Sequence, residues 1–169
     1  VAVYNAYPDI VDRVMNDRLD DIDLSKVSGV GEKTFDKIKN KIIDNFMLAE
    51  LVAEFKGVLS LSMVKKIYDE YTSIDIVRRK LRTEPYSCLT KISGIVFKTA
   101  DDIIIKLQEE NIINFGYDVK TSADRCLACV LHLLQENEND GHTRDNLADM
   151  RTKCYRLVPE CADHFIEVV

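Results

Sequence analysis

Leu24-Ser-Lys-Val27-Ser-Gly29-Val30-Gly31-Glu-Lys33-Thr34-Phe35 recurs without a gap as Leu89-Thr-Lys-Ile92-Ser-Gly94-Ile95-Val96-Phe97-Lys98-Thr99-Ala100. Both copies share apolar anchors, the first glycine and a Lys-Thr pair. Both then continue at helical spacing, to Ile38 in one and Ile103 in the other. A degenerate copy, Phe55-Lys-Gly57-Val58, lies between them and leads into a segment carrying Lys65 and Lys66. Recurrence of this kind marks a reused supersecondary unit.

The unit has a physical logic. Two helices joined by an apolar-x-Gly-apolar-Gly turn place a tight bend at the N-terminus of the second helix. Glycine there allows positive φ and lets an anion approach the backbone without a Cβ in the way. The free N–H groups of the first helical turn, at the positive end of the helix dipole, then face that anion. Val30 and Ile95 are expected to turn inward and pin the bend, Lys33 and Lys98 to reach a phosphate one turn in, and Thr34 and Thr99 to add a hydroxyl donor. Lys37 stands one further turn along the same face as Lys33. Such contacts carry no base information, so the binding they imply is sequence-independent and salt-sensitive.

Outward from these turns the pattern is helical throughout. The spacing predicts helices at 8–19, at 32–46 with Phe35, Ile38, Ile42 and Phe46 on a buried stripe, at 47–55, 61–71, 74–82 and 97–108, and at 121–138. Gly141 reads as the stop of the last of these. Beyond it the pattern predicts a helix at 144–156 and a short strand over Phe165–Val169. The expected fold is all-α: a tandem bundle of such units over residues 1–108, then a smaller helical piece over 119–169 with a winged-helix-like character.

Composition bounds the possibilities. The 169 residues are 46% hydrophobic and 31% charged, enough for a packed core and too apolar for whole-chain disorder. No apolar run approaches a membrane span, and no signal peptide precedes the first helix, so a cytoplasmic, monomeric protein without membrane contact is expected. The chain opens on Val1 instead of Met, as a fragment of a longer polypeptide would.

A net charge of −6 argues against nucleic acid until its distribution is read. Residues 26–41 hold five Lys against Glu32 and Asp36, and residues 63–82 hold six bases against three acids. The acids concentrate in residues 1–25 and 107–169. Local field decides what a phosphate feels at contact distance, so the basic islands keep DNA open as a partner.

Other side chains are read more plainly. Cys126-x-x-Cys129, with Cys154, Cys161, His142 and His164 downstream, has the residue types of a zinc site. The pair lies mid-helix with no glycine to form a knuckle, so core packing is the expectation and no metal is assigned. His132, Tyr86 and Phe97 read as core residues. Asp101-Asp102, early in a helix, reads as stabilisation of the helix dipole. Arg78, Arg79, Lys80 and Arg82 form the densest basic cluster, either a second phosphate track or partners for the acidic segments. No catalytic residue stands out.

Val27-Ser-Gly-Val-Gly-Glu-Lys-Thr resembles the helix-hairpin-helix family, whose fold is SAM-like. Residues from about Tyr7 to Thr143 resemble the N-terminal region of RecD/TraA-type bacterial DNA helicases. Thr83-Glu-Pro85-Tyr86, Gly94-Ile-Val-Phe-Lys-Thr-Ala-Asp101 and Gly141-His142-Thr143 stand in that family's order. The resemblance implies a DNA-binding accessory region of a 5′-to-3′ helicase of DNA repair and recombination, engaging single-stranded DNA or a junction. It further implies motor domains elsewhere in the same polypeptide, where ATP and Mg²⁺ act, with no cofactor in this segment. The phosphate loop of such a motor, Gly-x-x-x-x-Gly-Lys-Thr/Ser, does not occur in this sequence. Val96 replaces the family's second glycine and is expected to weaken or reshape that turn, because a β-branched residue resists positive φ. The rival expectations are a protein-interaction spacer of the same helicase, favoured by the overall acidity, and a Mg²⁺-dependent nuclease built on the acidic runs.

Overall fold

In the computed structural model, which describes residues 2–139 and 146–169, two compact units succeed one another: Val1–Leu51 and Val52–Val169. The sequence pattern placed the division between 108 and 119. The break lies earlier because the helix of residues 97–109 packs on that of 123–139 within one unit.

The first unit holds α1 (Ala2–Ala6), α2 (Ile10–Met15), a 3₁₀ turn (Leu24–Lys26) and most of α3 (Glu32–Glu54). Val3, Ile10, Val14, Val27 and Phe35 form its core, with Leu24, Val30, Ile38 and Ile42 packed against them. Each such side chain contributes roughly 1.5–3 kcal/mol when fully buried. Helix α2 is shorter than the 8–19 pattern. The chain turns left-handed at Asp17, φ 51°, and the Asn16 amide closes on the Asp12 carbonyl. Helix α3 is longer than expected and absorbs the separate helix predicted at 47–55. Met47–Glu54 contains no Gly, Pro or capping residue, so nothing stops the helix before Lys56 and Gly57, whose φ values are 48° and 77°. The α3 residues packed on this core end at Ile43, Phe46 stands 49% exposed, and burial resumes at Leu48 and Leu51.

The second unit holds α4 (Leu61–Tyr71), α5 (Ile74–Thr83), α6 (Pro85–Thr90), α7 (Phe97–Glu109), α8 (Ala123–Asn139), α9 (Leu147–Leu157) and α10 (Phe165–Val168). Successive helices from α4 to α9 pack pairwise, and α8 is the hub that touches α6, α7, α9 and α10. Phe55, Leu59, Ile67, Leu81, Leu89, Ile104, Leu107 and Phe165 are fully buried. The strand expected at 165–169 is helix α10: Phe165 is buried and the segment packs on α8, which overrides its β-branched composition. Among the described residues there is no strand to serve as a wing. Gly141-His142-Thr143 lies outside the described residues.

Cys126, Cys129, Cys154 and Cys161 are all buried between α8, α9 and the C-terminal turn, with the thiols of Cys126 and Cys154 3.8 Å apart. Burial pushes the Cys126 thiol up to about 12 and that of Cys161 to about 11, so both stay protonated at neutral pH. Among the described residues no group of three His, Cys, Asp or Glu side chains is arranged to hold a metal ion, and no helix is long and apolar enough to cross a membrane.

Candidate nucleic-acid interface

Each copy of the repeat closes the same backbone turn. The amide of Val30 donates to the carbonyl of Val27 (3.2 Å), that of Val58 to Phe55 (2.9 Å), and that of Ile95 to Ile92 (2.9 Å). The glycine inside each turn is left-handed: Gly29 at φ 76°, Gly57 at 77° and Gly94 at 85°. An L side chain pays roughly 1–2 kcal/mol there, which explains the first glycine of the motif. The second has a different status. Gly31 is not left-handed, and Val96 at the equivalent place is extended, φ −84° and ψ 166°. The expectation that Val96 would weaken or reshape its turn is therefore overturned: this position needs no positive φ.

The first and third turns run directly into helices α3 and α7, each starting three residues after its glycine. The middle turn differs. Lys56 is left-handed as well, and helix α4 begins one residue later, capped by the Ser60 hydroxyl on the Met63 amide. Helices α5 and α9 are capped likewise by Ser73 and Asn146. Val96 offers α7 no side-chain cap, and the first turn of α7 carries no acid, whereas α3 begins with Glu32. The amides opening α7 thus remain available to an anion.

The inward residues behave as expected: Ile95 is buried, and Val30 packs on the core of the first unit. Lys33, Thr34, Lys37 and Lys98 are exposed, and Thr99 is half-buried. The two turns fall in different units, so each is a separate candidate.

Sequence reasoning placed Lys66 after the degenerate copy and did not bring it to the third turn. Its ammonium donates to the Ser93 carbonyl (3.1 Å) and would lie 3.3 Å from a Cβ placed on Gly94. Only one of its three ammonium N–H donors is needed for Ser93, and Asp69 and Glu70 line the same small pocket. Lys66 and Ser93 are 27 residues apart, and no local spacing could have joined them.

A buried ion pair fixes the helix behind the third turn. Asp101 accepts two bonds from the Arg125 guanidinium, both 2.9 Å, and a third from the Tyr86 hydroxyl at 2.6 Å. Arg125 also reaches the Lys120 carbonyl and Glu160. Burial, with Asp101 next, pushes the Tyr86 hydroxyl far up, so it stays a donor. Asp101 is therefore a tie between α6, α7 and α8, and not the dipole-stabilising carboxylate that its position suggested. Of the basic cluster, Arg78 pairs with Glu54 (2.7 Å) and Lys80 with Glu84 (3.1 Å), while Arg79 and Arg82 are exposed.

On its other side the third turn borders a groove of about 650 Å³, walled by α6 and by Leu127, Leu131, His132 and Gln135 of α8. Tyr86 stacks on Phe97, and Phe97 on His132, with ring centroids 6.0 and 5.7 Å apart. Tyr86 and Phe97 are core residues as expected, whereas half-buried His132 faces the groove.

Repeated glycine turns, each closed by one backbone bond and leading into a helix, define a helix-hairpin-helix domain. The chain belongs to the family of the helix-hairpin-helix domain of ATP-dependent RecD2 DNA helicases, whose model matches residues 44–144, well over half of the sequence. The match takes in the second and third turns and leaves the first outside it. No curated protein and no solved structure matches the chain.

Proposed function

We propose that this chain is a sequence-independent DNA-binding accessory region of an ATP-dependent 5′-to-3′ helicase, without catalysis of its own. The observation that carries the reading is the third hairpin: a left-handed Gly94, an uncapped α7 N-terminus free of acids, and the ammonium of Lys66 beside it. A DNA phosphate there accepts bonds from the amides at Phe97, Lys98 and Thr99 and neutralises Lys66 and Lys98. Gly29, Val30 and Gly31 shape the same kind of site in the first unit, with Lys33, Thr34 and Lys37 around it; Gly94, Ile95, Lys98 and Thr99 are their counterparts in the second. The partners in this reading are single-stranded or junction DNA and the motor domains of the same polypeptide, where ATP and Mg²⁺ act. A cytoplasmic monomer serving repair and recombination fits it.

The test is the salt dependence of binding to a labelled single strand. Each phosphate neutralised contributes about −0.7 to the slope of log K against log salt, so Lys66→Gln and Lys98→Gln together, which share one phosphate, should make the slope shallower by about 0.7. Binding indifferent to both substitutions would favour the rival reading, a protein-interaction spacer, which the net charge of −6 also suits.

A further inference from the structure

The groove beside the third hairpin has the features of a nucleobase site. Its volume, about 650 Å³, falls in the roughly 300–1,000 Å³ range of small-ligand sites. Its α8 wall exposes Leu127 (38%) and Leu131 (51%), and Val96 on the hairpin side is 56% exposed, a concentration of uncovered apolar area unusual on an acidic surface. The aromatic column Tyr86–Phe97–His132 is nearly parallel, with interplanar angles of 23° and 25°, and its last ring is the one reaching solvent at the groove. Ser87 and Gln135 line the same space and bring a hydroxyl and an amide to it.

We infer that this groove takes an unstacked base of single-stranded DNA whose phosphate is held at the Gly94–Thr99 hairpin. The inference rests on the phosphate reading above, since Gly94, Ile95 and Val96 belong to both the turn and the groove wall. The base continues the aromatic column by stacking on His132, covers Leu131, and meets the Ser87 hydroxyl and the Gln135 amide with its polar edge. Glu84 and Asp124 also line the groove. Lys91 lines it too and Lys80 pairs with Glu84, but the two carboxylates outnumber the Lys91 ammonium in the lining, which disfavours a phosphate inside and keeps the sugar-phosphate chain at the hairpin while the neutral base enters. A duplex holds its bases in the stack and cannot fill the groove, so the site selects single strands.

The experiment compares the whole chain's affinity, at low salt, for a short thymidine oligonucleotide, an abasic strand of equal length and a duplex. Because the intact and abasic strands carry the same phosphates, the difference isolates the base. The intact strand should bind on the order of ten-fold tighter than the abasic strand, as expected for one stacked base. Leu131→Asn and His132→Ala should each erase that difference while leaving abasic binding unchanged, which also shows that the variants are folded. Equal affinity of the wild-type chain for both strands would overturn the base site, leave the hairpin reading standing, and release the groove to a protein partner. Failure to bind either strand would overturn both. Duplex binding as tight as that of the intact strand would overturn the base site alone.

Discussion

At the scale of single residues, the two glycines of one hairpin have different physical roles. Gly29 is left-handed at φ 76°, so Gly29→Ala should cost roughly 1–2 kcal/mol in denaturant unfolding. Gly31 is not left-handed, and an added Cβ would meet nothing within 4 Å, so Gly31→Ala should leave stability nearly unchanged. The sequence made the Gly-Val-Gly turn legible but not which glycine it depends on, because φ follows from the closed Val27–Val30 bond and not from residue type. Asp101 shows the same limit. Its place early in a helix suggested a dipole role, and only the fold reveals Arg125, 24 residues on, with 7% of its side chain exposed. Arg125→Ala strands a buried carboxylate and should cost about 3–5 kcal/mol, measured against Tyr86→Phe at about 1–2 kcal/mol.

At the scale of elements, helix α7 combines an extended N-cap residue with no cap. Val96 already has the backbone conformation of an N-cap and is exposed, so Val96→Asp should strengthen the helix by about 0.5–2 kcal/mol. The same carboxylate would occupy the amides offered to a phosphate and weaken DNA binding. Thermal unfolding and binding should therefore move in opposite directions; a variant that is stabilised and still binds normally would remove α7 from the interface. Helices α4, α5 and α7 were legible to within a residue or two, since their apolar spacing and their Gly, Ser or Pro boundaries agree. The continuous α3 and the helical C-terminus were not. The first lacks any local stop signal before Lys56, and the second is decided by the packing of Phe165 in the second unit's core. Lys66 and the groove escaped for a related reason: both are made by segments distant in sequence.

At the scale of the whole molecule, the charge and the thiols set conditions. With a net charge of −6, binding depends on local basic sites and should fade between low and moderate salt. All five cysteines are buried, and burial pushes the Cys88 thiol up to about 11, that of Cys126 to about 12 and that of Cys161 to about 11. A thiol reagent at neutral pH should therefore label the native chain slowly, and the unfolded chain at all five positions within the dead time. Fast labelling of native protein would contradict the packed cysteine core. The basic islands that sustain the DNA reading were visible in the sequence, while the division at residues 51 and 52 was not, because α3 crosses it without a break. The most direct measurement is a set of amide correlation spectra of the chain titrated with a short single strand. The largest shifts should fall on the amides from Ile95 to Thr99, with a second set from Gly31 to Thr34, and Lys66→Gln should diminish the first set alone. Shifts centred on α9 and α10, or none at saturating DNA, would contradict a phosphate held by the hairpins.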